Sequence, residues 1–313
     1  MQGLASFIMR GRLQAAMVAS AATAPALILL GLPSSVLLLL LVPLLGLVSS
    51  AAVALVTLRH GGLEGLLVGL FAGFASGLVA FVVLGSPLPA IGFAVALWLP
   101  VWVLGVVLRR SLSLALTIQL ASIIGFLVIA ALRLQGVDAE YWIALFEPLR
   151  ESLVERQVID AAGSHALVAD AARKINGVLG TSFYYQALLA LFVGRWWQAL
   201  LYNPGGFGAE FRELRLNRGV GFLSLGFMLV LLLQPDVQWA AELLMLLTPL
   251  LFLQGVAVAH GLANSLRASR GWLIGFYVLL LMPHVQMLVS GLGLVDIWMD
   301  VRSRVRKGGR DQD

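Results

Sequence analysis

Residues 35–57 read SVLLLLLVPLLGLVSSAAVALVT, a run of 23 residues without one charge. At a helical rise of about 1.5 Å per residue this run reaches about 35 Å, more than the roughly 30 Å of hydrocarbon in a bilayer. Lipid offers no water to an open backbone N–H or C=O, so a segment crossing it alone must be helical. A spanning strand would alternate apolar and polar over about ten residues, and this run does not alternate. Outward from it lie further apolar runs at 13–32, 63–84, 88–108, 111–133, 179–201, 219–234, 240–262 and 272–294. The expected fold is therefore all-α. It is a polytopic transmembrane helix bundle of eight spans plus a re-entrant or kinked C-terminal helix, with a short helical extracytoplasmic insertion.

Composition points the same way. The 313 residues are 60% hydrophobic and 12% charged, against about 45–50% and 25% in soluble domains. Mean hydropathy is +0.95. A soluble enzyme, a nucleic-acid module and a disordered chain are excluded as whole-chain readings, and the first partner is the lipid bilayer. There is no cysteine, which removes disulfides, thiolate metal sites and cysteine nucleophiles. The four histidines are scattered, so neither a metal nor a cofactor is expected. HExxH, Walker A, a GxSxG in context and a dinucleotide fingerprint are all missing, and the chain is not expected to be an enzyme. Asn203-Pro204-Gly205-Gly206 is turn chemistry rather than a phosphate loop. Arg10, Arg12 and Ala22-Thr23-Ala24 resemble a signal peptide, but Pro25 follows and the apolar run continues to Leu32, so it is read as a span.

Basic residues orient the spans, because short cytoplasmic loops are rich in Arg and Lys. Arg10 and Arg12 place the N-terminus in the cytoplasm, and Arg59-His60 and Arg109-Arg110 mark inner loops. The acidic segment 138–178 then lies outside, and the loop with Arg212, Arg215 and Arg218 inside. The tail carries Arg302, Arg304, Arg306, Lys307 and Arg310 with no acid from 301 to 310, which places the C-terminus in the cytoplasm too. Arg267 and Arg270 also read as inside. Nine full crossings contradict this, and Pro283 in the middle of 272–294 marks the run to blame. Either two half-helices form a re-entrant hairpin there, or the span is merely kinked and the tail is outside. The division expected is 1–134 (helices 1–5), 135–178 (extracytoplasmic insertion), 179–298 (helix 6 to the C-terminal end) and 299–313 (basic cytoplasmic tail), in the inner, cytoplasmic membrane. Within the insertion, Leu145, Leu149 and Leu153 recur at helical spacing, Ser164 reads as an N-cap, and Pro148 as a first-turn residue.

Candidate residues follow from what lipid forbids. Ionisable and amide groups inside spans are candidates for function. Gln254, His260 and Asn264 lie in the eighth run, with the last two sharing a face at i, i+4; Glu242, near its outer end, is expected to be wet. His284 and Gln286 follow Pro283, where broken half-helices would free backbone groups for a ligand. These five (Gln254, His260, Asn264, His284 and Gln286) are the expected ligand-binding set. Gly61, Gly65, Gly69, Gly73 and Gly77 repeat every four residues and are expected to form a close helix-packing stripe. Ala15 and Ala19 belong to a small-residue row that suits another helix, in this chain or in a partner. Glu64 is expected to reach headgroups or Arg59, and Arg195 with Trp196 and Trp197 to mark the interface. Asp296, Asp300 and Arg304 stand four apart and are expected to bridge at a helix end.

Leu253-Gln254-Gly255-Val256-Ala257-Val258-Ala259-His260, with Gly291-Leu292-Gly293-Leu294-Val295-Asp296-Ile297-Trp298-Met299-Asp300-Val301-Arg302, resembles the C-terminal signature of the YybS-like family of bacterial multi-pass membrane proteins. Leu58-Arg59-His60-Gly61-Gly62 before a glycine-rich span resembles it too. That family is more remotely similar to S components of energy-coupling-factor transporters, which capture a small solute and dock on a separate energising subunit. The resemblance implies a solute-binding transporter component, with Ala15 and Ala19 matching the docking row. The alternative is a non-transport scaffold, or an envelope- or lipid-associated factor. No nucleic-acid partner is expected.

Overall fold

A computed structural model of the chain describes residues 1–30, 36–266 and 268–310, the side chains at 30, 36–40, 270 and 306–310 excepted. Arg267 and the side chains of Arg270, Arg306, Lys307 and Arg310, read above as topology signals, lie outside the described residues. The order is α1 (Gln2–Ile8), α2 (Arg12–Leu30), α3 (Val36–His60), α4 (Gly62–Leu84), α5 (Leu88–Phe93), a π-helical turn (Ala94–Trp98), α6 (Leu99–Ser111), α7 (Leu114–Leu134), α8 (Ala139–Glu155), α9 (Ala161–Tyr202), α10 (Gly206–Arg212), α11 (Arg218–Leu233), α12 (Gln238–Ser265), α13 (Arg270–Leu279), α14 (Pro283–Met299) and α15 (Val301–Arg310). No strand occurs among the described residues, and the chain is an all-α polytopic membrane protein.

Among the described residues seven helical stretches are long and apolar enough to cross a bilayer, and each overlaps one of the expected runs. The run at 219–234 is α11, whose 16 residues rise only about 24 Å. The last run is a broken pair, with α13 and α14 bent by 110° at Leu280–Met282. Pro283 opens α14 at its first position, where the missing N–H costs nothing, and Gln286 Nε2 donates to the carbonyl of Leu280 (2.8 Å) across the break. A second proline leaves a different mark. Pro100 cannot donate a helical hydrogen bond, and the turn before it widens so that the Leu99 N–H reaches the Ala94 carbonyl.

Contacts divide the chain into two compact units. Unit 1 comprises residues 1–121 and 185–214. Its central helix is α3, buried without interruption from Ser49 to Leu58. Ser49 Oγ donates to the Ala19 carbonyl (2.7 Å) and receives the indole N–H of Trp98 (2.8 Å), tying α2, α3 and the π turn inside the core. Ala15 and Ala19 are fully buried in this core, so their row is taken up within the chain and is not a face for an outside partner. The glycine stripe is also corrected. The buried face of α4 is Gly65, Val68, Ala72, Ser76 and Ala80. Gly61 lies before the helix at φ 110°, and a Cβ on Gly69 or Gly77 would meet nothing within 4 Å. A repeat of four overshoots the helical turn by about 40° each step, so five glycines wind off one face. Glu64 pairs with Arg12 through two hydrogen bonds of 2.6 Å, rather than with Arg59 or lipid. Phe74, Phe81 and Val82 lie exposed on the other side of α4, a surface suited to acyl chains and not to water.

Unit 2 comprises residues 122–184 and 215–313. α12 and α14 cross with backbones in contact. A Cβ on Gly255 would collide with the Val289 carbonyl, and one on Gly293 with the Leu251 carbonyl. Gly125 and Gly180 make a similar approach between α7 and α9. Glu242 is buried, not wet. It accepts from Arg133 Nε (2.9 Å) and Nη2 (3.0 Å) and from Gln238 Nε2 (3.3 Å). The acidic insertion is α8 and the first part of α9. Asp138 caps α8, accepting from the Tyr141 N–H (3.1 Å). Ser164 is not a cap, because α9 begins at Ala161; it is buried and receives Arg150 Nη1 (3.1 Å). Pro148 sits inside α8 rather than in its first turn. At 42 residues α9 is about 63 Å long, twice the hydrocarbon thickness, so its first half continues beyond a span as part of the insertion.

Candidate binding site

The site with the most concentrated chemistry lies in unit 2, where the loop before α11 meets α12, α14 and α15. Asn217 caps α11, its side chain accepting from the Gly219 N–H (2.8 Å). This turns the preceding loop inward, so the buried Leu216 N–H donates to Gln254 Oε1 at 2.7 Å. The other end of the amide, Nε2, donates to Asp296 Oδ2 at 2.8 Å. The same carboxylate oxygen receives Arg302 Nη2 (2.8 Å), while Oδ1 accepts the Val301 N–H (2.9 Å). Asp296 therefore caps the start of α15, where a carboxylate also meets the positive end of the helix dipole. The Asp296 and Arg302 side chains are only 1% and 2% exposed.

Asp300 ends α14 in the left-handed region at φ 44°, which aspartate tolerates better than most residues. That turn lets α15 fold back and bring Arg302 onto Asp296. Asp300 Oδ2 takes Arg215 Nη1 at 2.7 Å, and its Oδ1 is buried with no hydrogen-bond partner. These groups line a cavity of about 330 Å³ that also touches Asn217 and Arg218. Its wall carries two carboxylates, three guanidiniums and two amides, so it can take hydrogen-bond donors and acceptors of either charge.

Of the expected ligand set, only Gln254 reaches this cavity. His260 Nε2 contacts the Tyr277 hydroxyl at 2.7 Å, a link between α12 and α13. Asn264 and His284 are exposed, and Gln286 is used in closing the break after α13. The five residues do not converge, because the bend turns the first turn of α14 outward instead of into the α12 face. The expected Asp300–Arg304 bridge is likewise absent: Arg304 Nε donates to the Met299 carbonyl (2.8 Å), and Asp300 pairs with Arg215 instead. In the sequence Arg215 and Arg302 read as topology signals. Asp296, two residues past the apolar run 272–294, is read in the sequence only as a helix-end bridging residue; the structure makes it the centre of the site. Among the described residues no group of three or more His, Asp or Glu is placed to hold a metal ion.

Residues 208–297, under a third of the chain, match the model of a family described as "Predicted membrane protein (DUF2232)". The segment contains Arg215, Gln254 and Asp296, and ends just short of Asp300 and Arg302. No curated protein and no solved structure matches the chain.

Proposed function

We propose that this integral membrane protein is a solute-binding component of a transport system, taking a small polar solute in the unit-2 cavity. The observation that carries this is the buried Gln254–Asp296–Arg302 network opening on that cavity. Ionisable groups kept inside a membrane bundle are by default functional. A volume of about 330 Å³ is at the small end of ligand sites, which suits a metabolite rather than a lipid tail. Asp300 lines the cavity, and its Oδ1, buried without a hydrogen-bond partner, would take a donor from a solute once the side chain turns toward the cavity. The likeness of the Gln254 and Asp296 segments to the YybS-like family, and more remotely to S components of energy-coupling-factor transporters, supports the same role. The chain carries no nucleotide-binding loop, so a transporter would draw its energy from a gradient or a separate subunit. Such a subunit would dock on a face other than Ala15 and Ala19. We read the chain as non-enzymatic, seated in the inner membrane with both termini in the cytoplasm.

Native mass spectrometry of the protein taken from its own membrane into nanodiscs tests this. A stoichiometric small-molecule mass that is lost in Asp300→Asn supports the proposal. Spectra with lipids alone, identical in both proteins, refute it. One observation favours a scaffold as the second reading. No residue of α8 is buried, and Tyr141, Leu145 and Leu149 are exposed on it. Co-purification of a protein partner that is lost when these three are made polar, with no solute mass, would point there.

A further inference from the structure

We propose that unit 1 carries a separate site for the phosphate of an anionic phospholipid, in an arginine-lined cleft of about 600 Å³. The cleft forms where three spans end together. Leu58 and Arg59 come from the end of α3, Leu108 and Arg109 from the end of α6, and Arg195 and Tyr202 from the end of α9. It therefore sits at one face of the helices and not at their middle.

Its charge is unbalanced. Arg195 pairs with Glu210 (2.8 Å), the one carboxylate lining the cleft. Arg109 Nη1 donates to the carbonyls of Leu58 (2.6 Å) and Arg59 (2.7 Å), which fixes the guanidinium without neutralising it. Arg59 lies over the ring of Tyr202, 4.1 Å from its centroid, and forms no ion pair among the described residues. A guanidinium held over an aromatic ring still has N–H donors for another group. Planar forks of this kind match phosphate oxygens two at a time. Capping α3 accounts for Arg109 alone; it explains neither Arg59 on the ring nor the open volume between the three cations.

The walls choose between two carriers of phosphate. Leu58, Leu108 and Leu112 are the leucines lining the cleft; the first two are buried beneath it, and Leu112 supplies its exposed apolar surface. That surface suits the glycerol and upper acyl region of a lipid and gives a free hydrated phosphate nothing to contact. Basic clefts between helix ends at a membrane face bind acidic headgroups in this way.

The test is native mass spectrometry of purified protein from nanodiscs of phosphatidylcholine mixed with phosphatidylglycerol. Wild type is expected to keep one phosphatidylglycerol under activation that strips phosphatidylcholine. Arg59→Gln is expected to lower that retention about five-fold, the effect of one basic residue near a membrane surface. Arg59→Lys, which keeps the charge and loses the fork, should fall between them. Arg110→Gln removes the same charge from a neighbour outside the cleft and should change nothing. Equal retention of the two lipids, equal retention in wild type and both Arg59 variants, or an equal loss in Arg110→Gln overturns the proposal. Millimolar inorganic phosphate separates the carriers: no displacement supports the lipid, and displacement with phosphate retained in its place overturns the lipid assignment.

Discussion

Replacing Asp296 with leucine removes the centre of the unit-2 network while keeping a branched side chain of four heavy atoms. Its carboxylate holds three donors, the Gln254 amide, the Arg302 guanidinium and the Val301 N–H, at 2.8–2.9 Å. The substitution takes the carboxylate from a guanidinium that is only 2% exposed. Breaking one side of such a buried pair costs about 3–5 kcal/mol, whereas removing both charges is often near neutral. The amide and the N–H each lose an acceptor, at about 1 kcal/mol apiece. Asp296→Leu is thus expected to destabilise by about 5–7 kcal/mol. At about 2–4 °C per kcal/mol, the scale of a unit of 150–250 residues, the melting point should fall by roughly 10–28 °C. Arg302→Met alone strands the Asp296 charge and should cost about as much as the bare pair. The double variant should lie within about 2 kcal/mol of wild type, giving a coupling of several kcal/mol. Intrinsic tryptophan fluorescence in nanodiscs reads the transition, since Trp298 packs edge-on to Phe222 beside the site (5.5 Å between centroids). Single variants within about 1 kcal/mol of wild type, or a strictly additive double, would refute the assignment of this pair as buried and coupled.

Gly293→Ala should lower the melting point, because overpacking against the Leu251 carbonyl costs about 1–3 kcal/mol, while Gly291→Ala should raise it slightly. The Gly291 Cβ would meet nothing within 4 Å, so the same thermal assay should show opposite signs two residues apart. In α8, the hydrogen bond from Arg150 and its charge hold the Glu147 carboxyl below its ordinary value of 4.5. A lowered folded value means the pair's contribution is complete above about pH 5 and fades as acid protonates Glu147. Hydrogen exchange across 139–155 should be flat in stability between pH 5 and 7 and lose protection below 4.5; protection rising with acid would reverse the sign of the pairing. Single cysteines at Ser269 and Ser303, in a chain with none of its own, test the broken pair. Labelling of both from the cytoplasm alone fits a re-entrant α13–α14, and labelling of 303 from outside makes it a span.

Apolar length is a one-dimensional property, and this is why most spans are legible to within about three residues; α9, which starts at Ala161 and not at 179, is the exception. The charge-free run at 35–57 became α3, buried where its small residues Ser49, Ser50, Ala51 and Ala52 cluster. Pro283 marked the break, whereas Pro148 and Pro249 lie inside unbroken helices, so a proline alone does not decide where a span bends. Periodicity failed where it was assumed to continue. Asp296, Asp300 and Arg304 share a face only on an unbroken helix, and the left-handed turn at Asp300 breaks it. Six residues separate Asp296 from Arg302, a spacing with no meaning on one helix and a direct contact across two. The glycine repeat misled for a related reason: four is not 3.6, and the face that packs follows the helix rather than the letter count.

The positive-inside rule explains why four arginines of the two sites read as orientation signals and not as site residues. It gives every Arg near a span end a sufficient reason to be there, so Arg59, Arg109, Arg215 and Arg302 all pass as address labels. What separates a label from a working group is partner and burial, and neither is written in the local sequence. Arg302 is buried against an acid from the preceding helix, and Arg59 lies on the ring of Tyr202, far along the chain. A label is free to snorkel into water, and its charge can be moved to a neighbour without loss. The Arg59 and Arg110 variants separate the two cases directly. They remove the same charge from the same end of unit 1, and only one of the two removes a donor from the cleft.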